Sequence, residues 1–525
     1  MARFNIQTEA PKVQNYAGGE AFSLVPEMEL YTKICTASLQ PKFYESNVKD
    51  QIENLRQLIS KVDAETVCKM AVYAREKMYL RSVPLVMLVE LFKNFEDGRQ
   101  KGKRDGSLLR RTTTKIIQRA DEITELLAFF SQANDRKDKK KLNKLPNALK
   151  KGIAESFRKF DEYQLAKYNR DGDVKLKDAL FLSHAKPRNA EEKRLLHRLA
   201  QDNLEIPHTW EVECTKIGSQ KFSSEKEKQE AFSSKWSSMV ESGDLGYMAL
   251  LRNLRNMLKY GASKELVKNV CEQLTDPDSV LRSKQLPFRF WAAYNELDSI
   301  KEEYDSFAVK KICTALEKAV KVSTQSLKGF DDDTRVLIAC DVSGSMQKPV
   351  SEKSKVQLYD IGLLLGQLLQ ERCKSVVTGF FGDTWKVVEL TGGDVLRNTL
   401  DLRRREGEVG YSTNGHKVIE WLISKKLEVD KVMIFTDCQM WDSENRPHFS
   451  TKGSISKSWS EYRKMFPKAQ LYLFDMAGYG TTPLNIQKNV GVHLIAGWSD
   501  KIFEVLDSLE KGGNAISMIK EKIKI

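Results

Sequence analysis

The run Arg335-Val336-Leu337-Ile338-Ala339-Cys340 leads straight into Asp341-Val342-Ser343-Gly344-Ser345, and these eleven residues decide how the C-terminal part of the chain reads. The apolar stretch Val336 to Cys340 reads as a strand that delivers the chain to the carboxyl edge of a parallel sheet, where open α/β folds bind ligands. One carboxylate and two hydroxyls then follow at alternate positions on a tight turn. Such an all-oxygen set suits a hard divalent cation such as Mg2+, which keeps several waters and rarely needs a full protein cage. The competing reading is an Asx-type turn that caps the helix beginning near Val356. Neither serine lies in a G-x-S-x-G elbow, so an activated-serine hydrolase has no support. A phosphotransferase that opens on a strand-end Asp needs a second carboxylate where Ser343 stands.

Two later segments reach the same edge. Tyr411-Ser412-Thr413-Asn414-Gly415 reads as a loop opening a helix, and the apolar strand Val432 to Thr436 ends in Asp437. Further strands are predicted over Ser375 to Gly382, Trp385 to Leu390, Gln470 to Asp475 and Val492 to Ala496. Helices are predicted over Val356 to Gln370, Lys417 to Leu422 and Lys501 to Leu509. The alternation gives a doubly wound α/β sheet with helices on both faces. In this order, Asp341, Ser343, Ser345, Thr413 and Asp437 resemble the metal-ion-dependent adhesion site of von Willebrand factor A domains. The resemblance implies that the two serines and one other residue ligate directly and the rest act through water.

At 525 residues the chain has room for two or more cores. No stretch approaches twenty uninterrupted apolar residues, and Met1 to Pro11 lacks a signal-peptide pattern, so the expectation is a cytoplasmic protein without a membrane span. The eight cysteines are scattered without a C-x-x-C pair and read as reduced thiols. The net charge of +13 is unevenly placed, with 58 Lys+Arg against 46 Asp+Glu before residue 331 and 27 against 26 from there on. A polyanion therefore belongs with residues 1–330, not with the near-neutral segment 331–525.

The positive residues cluster twice. One cluster, Arg99 to Arg119, contains Arg99, Lys101, Lys103, Arg104, Arg110 and Arg111. The other, Arg136 to Lys151, contains Lys139, Lys140 and Lys141. Gly98, Gly102, Asp105 and Gly106 make the first run begin as a loop and end on a helix. Each run alone is commonly a solvated face; two in one basic segment favour phosphate contact. Before residue 330 the pattern is helical throughout, with apolar faces such as Val48, Ile52, Leu55 and Ile59, or Leu250, Leu254 and Met257. Breaks fall at Pro84, Pro146, Pro187, Gly261 and Pro277. Paired helices of this kind stack as a solenoid.

Leu176 to Pro187 (LKDALFLSHAKP), Tyr247 to Leu254 (YMALLRNL) and Leu286 to Phe290 (LPFRF) resemble the TROVE domain of the Ro autoantigen family. The order of a TROVE segment, 1–330, before a von Willebrand factor A segment, 331–525, is also that family's. The resemblance implies a HEAT-like helical-repeat ring that binds Y RNA on an outer basic surface. The ring's cavity would admit the single-stranded 3′ ends of misfolded noncoding RNA. By the same resemblance Lys167, Arg170 and His184 occupy or neighbour the Y RNA surface, and the bacterial branch suggests an exoribonuclease such as polynucleotide phosphorylase as a partner. A non-catalytic RNA-binding protein is thus expected. The alternatives are a metal-dependent protein-interaction adaptor with only nonspecific RNA binding, and a metal-dependent nuclease. The nuclease is disfavoured because only Asp341 and Asp437 converge.

Overall fold

The computed structural model describes residues 10–37, 48–134, 144–169, 172–323, 333–350, 354–371, 373, 375–389, 393–440, 454–486, 488–497, 506 and 514–525. The chain divides into two compact units, one of residues 1–25, 42–45 and 213–515 and the other of 26–41, 46–212 and 516–525. The helices from Glu225 to Ser323 thus share a unit with the α/β fold.

In the second unit the helices are short and start where the sequence says they must. Asp63 caps Ala64–Glu76 by accepting from the Glu65 and Thr66 N–H groups, and Asp105 does the same for Gly106–Ile116. Pro84 lies in the first turn of Ser82–Glu96 and Pro146 caps Asn147–Phe157, positions where a missing N–H costs nothing. Each helix packs on its next-but-one neighbour. Val48–Lys61 lies on Ser82–Glu96 and that on Ala120–Ala133, while Ala64–Glu76, Gly106–Ile116, Asn147–Phe157 and Leu176–Ser183 form the other series. Two parallel layers built this way are a helical repeat. Neighbours within the second series are close: a Cβ on Gly152 would sit 2.4 Å from the Thr113 side chain. A buried ion pair, Arg75 with Glu122 at 2.7 Å, joins three helices, since Arg75 also donates to the Ile116 carbonyl.

The other unit holds a six-stranded sheet. Its strands are β3 (Arg335–Asp341), β4 (Ser375–Phe381), β5 (Trp385–Val387), β6 (Lys431–Thr436), β7 (Gln470–Asp475) and β9 (Val492–Ala496), in the order β5-β4-β3-β6-β7-β9. All pairs are parallel except the β4–β5 edge. Every residue of β6 is buried, as expected of a strand covered on both faces. The chain goes from β3 outward to β4, then returns to the other side of β3 with β6. The switch point of the sheet therefore lies between the carboxyl ends of β3 and β6.

The sequence reading of uninterrupted helix before residue 330 is corrected at one place. Residues 12–23 form an antiparallel hairpin of β1 (Lys12–Gln14) and β2 (Glu20–Ser23), and β2 pairs with β8 (Thr481–Thr482). The strand predicted from Trp385 ends at Val387, and the helix predicted to start at Val356 starts at Leu358. The helix predicted over Lys501 to Leu509 falls outside the described residues apart from position 506.

Within this unit the helices up to Ser323 are tied to the α/β fold by polar contacts. Glu317 accepts from the Leu396 and Arg397 N–H groups at 3.0 and 2.8 Å, closing the start of the helix Val395–Arg403. Lys355 and Arg404 reach Glu296 and Asp298, both at 2.9 Å. Asp360, fully buried in the first turn of Leu358–Gln370, accepts from the Gln357 N–H at 2.8 Å and lies 3.4 Å from Arg403. Burial outweighs Arg403 and pushes its carboxyl up to about 6. The folded state therefore holds this proton at pH values where the unfolded chain has released it. Stability from this group falls as pH rises from about 4 to about 6 and is flat above, a loss on the order of 2–3 kcal/mol. Asp360→Asn should flatten that part of the profile in urea titrations between pH 4.5 and 7. A variant profile parallel to wild type over this range rules the assignment out.

Candidate metal centre and basic surface

The switch point brings the predicted oxygen ligands together. Asp341 ends β3 and Asp437 follows β6, and the two carboxylates are 1% and 0% exposed. Asp341 accepts from the Thr436 hydroxyl at 2.6 Å and from the Ser343 N–H at 2.9 Å. The Ser343 and Ser345 hydroxyls lie 3.3 Å apart, Ser343 just before and Ser345 within the short 3-10 turn Gly344–Gln347. The second loop docks through the Gly344 N–H, which donates to the Tyr411 carbonyl at 3.3 Å. Thr413 in that loop donates to the Gln439 carbonyl at 3.1 Å, and the Gln439 N–H donates to Asp437 at 3.0 Å. The Asx turn weighed from sequence is present, but it opens this 3-10 turn; the helix at Leu358 has Asp360 in its own first turn.

Two carboxylates packed into one dry corner repel. Burial and then the Asp437 charge push the Asp341 carboxyl well above the ordinary range, against the opposing pull of the Thr436 and Ser343 hydrogen bonds. A divalent cation relieves that repulsion, so the donor set of two carboxylates and three hydroxyls fits a hard ion. Among the described residues no group of three or more His, Cys, Asp or Glu is placed to hold a metal, so this candidate centre rests on its two carboxylates and three hydroxyls. All eight cysteines are free thiols.

Three residues that shape the site were not singled out from sequence. Asp383, just past β4, accepts from the Ser412 N–H at 2.9 Å and is held below the usual carboxylate range by Ser412. Its carbonyl takes a hydrogen bond from the Asn414 amide at 3.0 Å, so it sets the loop that carries Thr413. The other two are Thr436 and Gln439, described above. A Gly-Asp pair directly after a strand was a signal for the first; the other two carry none.

The basic residues lie in the other unit. The first run begins in the loop 97–105, with Gly98 and Gly102 at φ +67° and +88°, and ends on Gly106–Ile116. Arg99, Lys101, Lys103, Arg104 and Arg111 are exposed and Arg110 is half-buried. Arg99 is paired with Asp97 at 2.5 Å and Arg110 lies 3.5 Å from Glu155, whereas Lys101, Lys103, Arg104 and Arg111 make no ion pair among the described residues. Lys167 sits over the rings of Tyr163 and Tyr168 at 5.5 and 5.9 Å, and Arg119 covers Tyr168 at 4.4 Å. His184 is exposed and caps Leu176–Ser183 in the left-handed region at φ 53°. Arg170, Lys139, Lys140 and Lys141 lie outside the described residues. His493, by contrast, is structural: it stacks on Tyr472, binds Gln470 at 2.9 Å and is lowered to about 4 by burial.

Residues 42–235 and 201–326 match the TROVE domain, and residues 335–509 match the Ro60 vWA domain. The chain belongs to the Ro autoantigen family. It is similar to telomerase protein component 1 of Rattus norvegicus, 24% identical over 370 residues that make up 54% of this chain and 13% of that protein. It is also similar to RNA-binding protein RO60 of Deinococcus radiodurans, 25% identical over 210 residues, which are 38% of this chain and 39% of that protein. The chain thus spans less than half the length of these curated relatives. The crystal structure of the Deinococcus radiodurans RO (RSR) protein matches with a TM-score of 0.58 at 17% identity, covering 91% of this chain and 99% of that one. At that identity the match speaks for the fold: helical repeats with a von Willebrand factor A-type α/β domain, as in other Ro family members. No helix among the described residues is long and apolar enough to cross a membrane.

Proposed function

We propose that this chain is a cytoplasmic, non-catalytic RNA-binding protein of Ro ribonucleoproteins, acting in noncoding RNA quality control. In this reading Y RNA binds an outer basic surface, and the single-stranded 3′ ends of misfolded noncoding RNAs enter a cavity of the helical-repeat ring. An exoribonuclease such as polynucleotide phosphorylase is the proposed processing partner. The observation that carries the reading is the set of cations Lys101, Lys103, Arg104, Arg111 and Lys167, which make no ion pair among the described residues, on a TROVE helical repeat. Such cations hold phosphates without reading sequence, and the aromatic rings under Lys167 offer a face on which unpaired bases stack. A cavity too narrow for A-form duplex selects transcripts by a free end.

The metal centre takes a separate role. Asp341, Ser343, Ser345, Thr413 and Asp437 would hold one divalent cation, most naturally Mg2+, whose open position accepts a carboxylate from a protein partner. Two RNAs sharing one duplex, one with a single-stranded 3′ tail and one blunt, test the main reading in gel-shift titrations at several salt concentrations. The tailed RNA should bind at least tenfold tighter, with steep salt dependence. Equal, weak binding of both favours the adaptor reading, in which the near-neutral α/β domain and its oxygen site do the recognising.

A further inference from the structure

The hairpin β1–β2 has its base paired with β8 and its tip at the segment Asp437–Met440, the third of the loops that carry candidate ligands. At the base β2 pairs with β8, Phe22 opposite Thr482 and Ser23 opposite Thr481, and the Leu24 N–H donates to the Gly480 carbonyl at 3.2 Å. At the tip, Asn15 is 5% exposed and its side chain divides its two functions. Its Oδ1 accepts from the Ala17 and Gly19 N–H groups at 3.0 and 2.8 Å, which closes the turn. Its Nδ2 donates to the Met440 carbonyl at 2.8 Å. The next residue repeats the contact, because the Tyr16 N–H donates to Gln439 Oε1 at 2.8 Å.

Those two bonds grip a segment that has reason to move. Between Asp437 and Gln439, Cys438 holds φ at 60°, a conformation that side-chain-bearing residues adopt rarely and keep only where the surroundings enforce it. Gln439 is the hub of that enforcement. Its N–H binds Asp437, its carbonyl receives Thr413, its Nε2 reaches Thr481 at 3.2 Å, and its Oε1 takes the Tyr16 N–H. Two of the five oxygen ligands, on different loops, are thus oriented through one residue that the hairpin holds.

We infer that the N-terminal hairpin is a working part of the metal centre, with Asn15 and Tyr16 fixing the Asp437–Met440 loop in the geometry that binds a divalent cation. This rests on the reading of Asp341, Ser343, Ser345, Thr413 and Asp437 as cation ligands. Asn15 and Tyr16 are positioning residues and touch no metal. The hairpin belongs to the site although more than three hundred residues separate it from the first ligand loop.

The two roles of Asn15 allow a clean test. Asn15→Asp keeps an oxygen for the turn but removes the amide that binds the Met440 carbonyl; Gln439→Ala cuts the hub from the other side. Mn2+ binding to the full chain is measured by titration calorimetry, together with the melting temperature without metal. Both variants should bind Mn2+ about tenfold more weakly than wild type and lose most of the Mn2+-induced rise in melting temperature, beyond the few degrees that the lost hydrogen bonds take from the metal-free melting temperature. Unchanged Mn2+ affinity in both variants overturns the hairpin's role and leaves the metal site standing. Lower metal-free melting with an undiminished Mn2+-induced increase makes the hairpin merely structural, which also overturns it. A wild-type chain that binds no Mn2+ removes the metal reading itself.

Discussion

Reversing Lys101, Lys103, Arg104 and Arg111 to Glu should weaken binding of a 3′-tailed RNA by about two to three orders of magnitude near 0.15 M salt. Each phosphate neutralised by a cation contributes about 0.7 to 0.9 to the slope of log affinity against log salt, through release of condensed counterions. Four lost contacts therefore flatten that slope by about 3, and at this salt concentration each is worth on the order of 1 kcal/mol. The choice of residues follows from the ion pairs. Arg99 is committed to Asp97 and Arg110 lies beside Glu155, so reversing those two would perturb the fold as well as the surface. The remaining four are free of such pairs among the described residues, and their reversal should leave the melting temperature nearly unchanged. Four reversals on exposed lysines of the α/β fold, Lys425, Lys457, Lys464 and Lys468, control for net charge and should cost little. An unchanged salt slope in the quadruple variant places the phosphates on a different surface.

What could be read from the sequence depended on how far apart the interacting residues lie. β3, β6 and β7 were legible because a strand buried on both faces leaves an unbroken apolar run, and the placement of Asp341 and Asp437 at one sheet edge was legible because each follows the carboxyl end of such a run. The helical repeats were legible from their apolar faces and proline breaks. The hairpin 12–23 was not, since strands of three and four residues are too short for alternation to show, and its partner Thr481–Thr482 lies more than 450 residues away. Asp383 and Gln439 act through backbone groups of other loops, a role that no spacing encodes. Nor did any composition break at residue 213 announce that the later helices join the α/β fold. They do so through side chains such as Glu317 and Glu296, which look like ordinary surface acids until their partners are known.

Replacing Asp437 with Asn should make the metal-free protein more stable and at the same time abolish its response to Mg2+. At neutral pH the wild type holds two buried carboxylates at the switch point, and the Asp437 charge helps raise the Asp341 carboxyl. The amide keeps an oxygen for the Gln439 N–H while removing that repulsion, a gain of about 1–2 kcal/mol, or a few degrees in melting temperature. The gain belongs to the ionised pair. It is complete only above about pH 7, to which burial and the Asp437 charge push the Asp341 carboxyl, and it shrinks as pH falls through that value and Asp341 takes up its proton, so the melts are compared at pH 8. With Mg2+ the order should reverse, because a ligand at a hundred times its dissociation constant stabilises the folded state by about 2.7 kcal/mol, and only the wild type retains both carboxylates of the proposed site. The crossing of the two melting curves is the signature: variant above wild type without Mg2+, below it with Mg2+. A variant that melts lower even without metal shows that hydrogen bonds, not repulsion, dominate the Asp437 carboxylate. A variant that still gains from Mg2+ places the cation elsewhere. Affinity for the tailed RNA should stay within about twofold in either condition, since every described cation assigned to RNA lies in the other compact unit; a parallel loss of RNA binding would mean that metal and RNA sites are coupled.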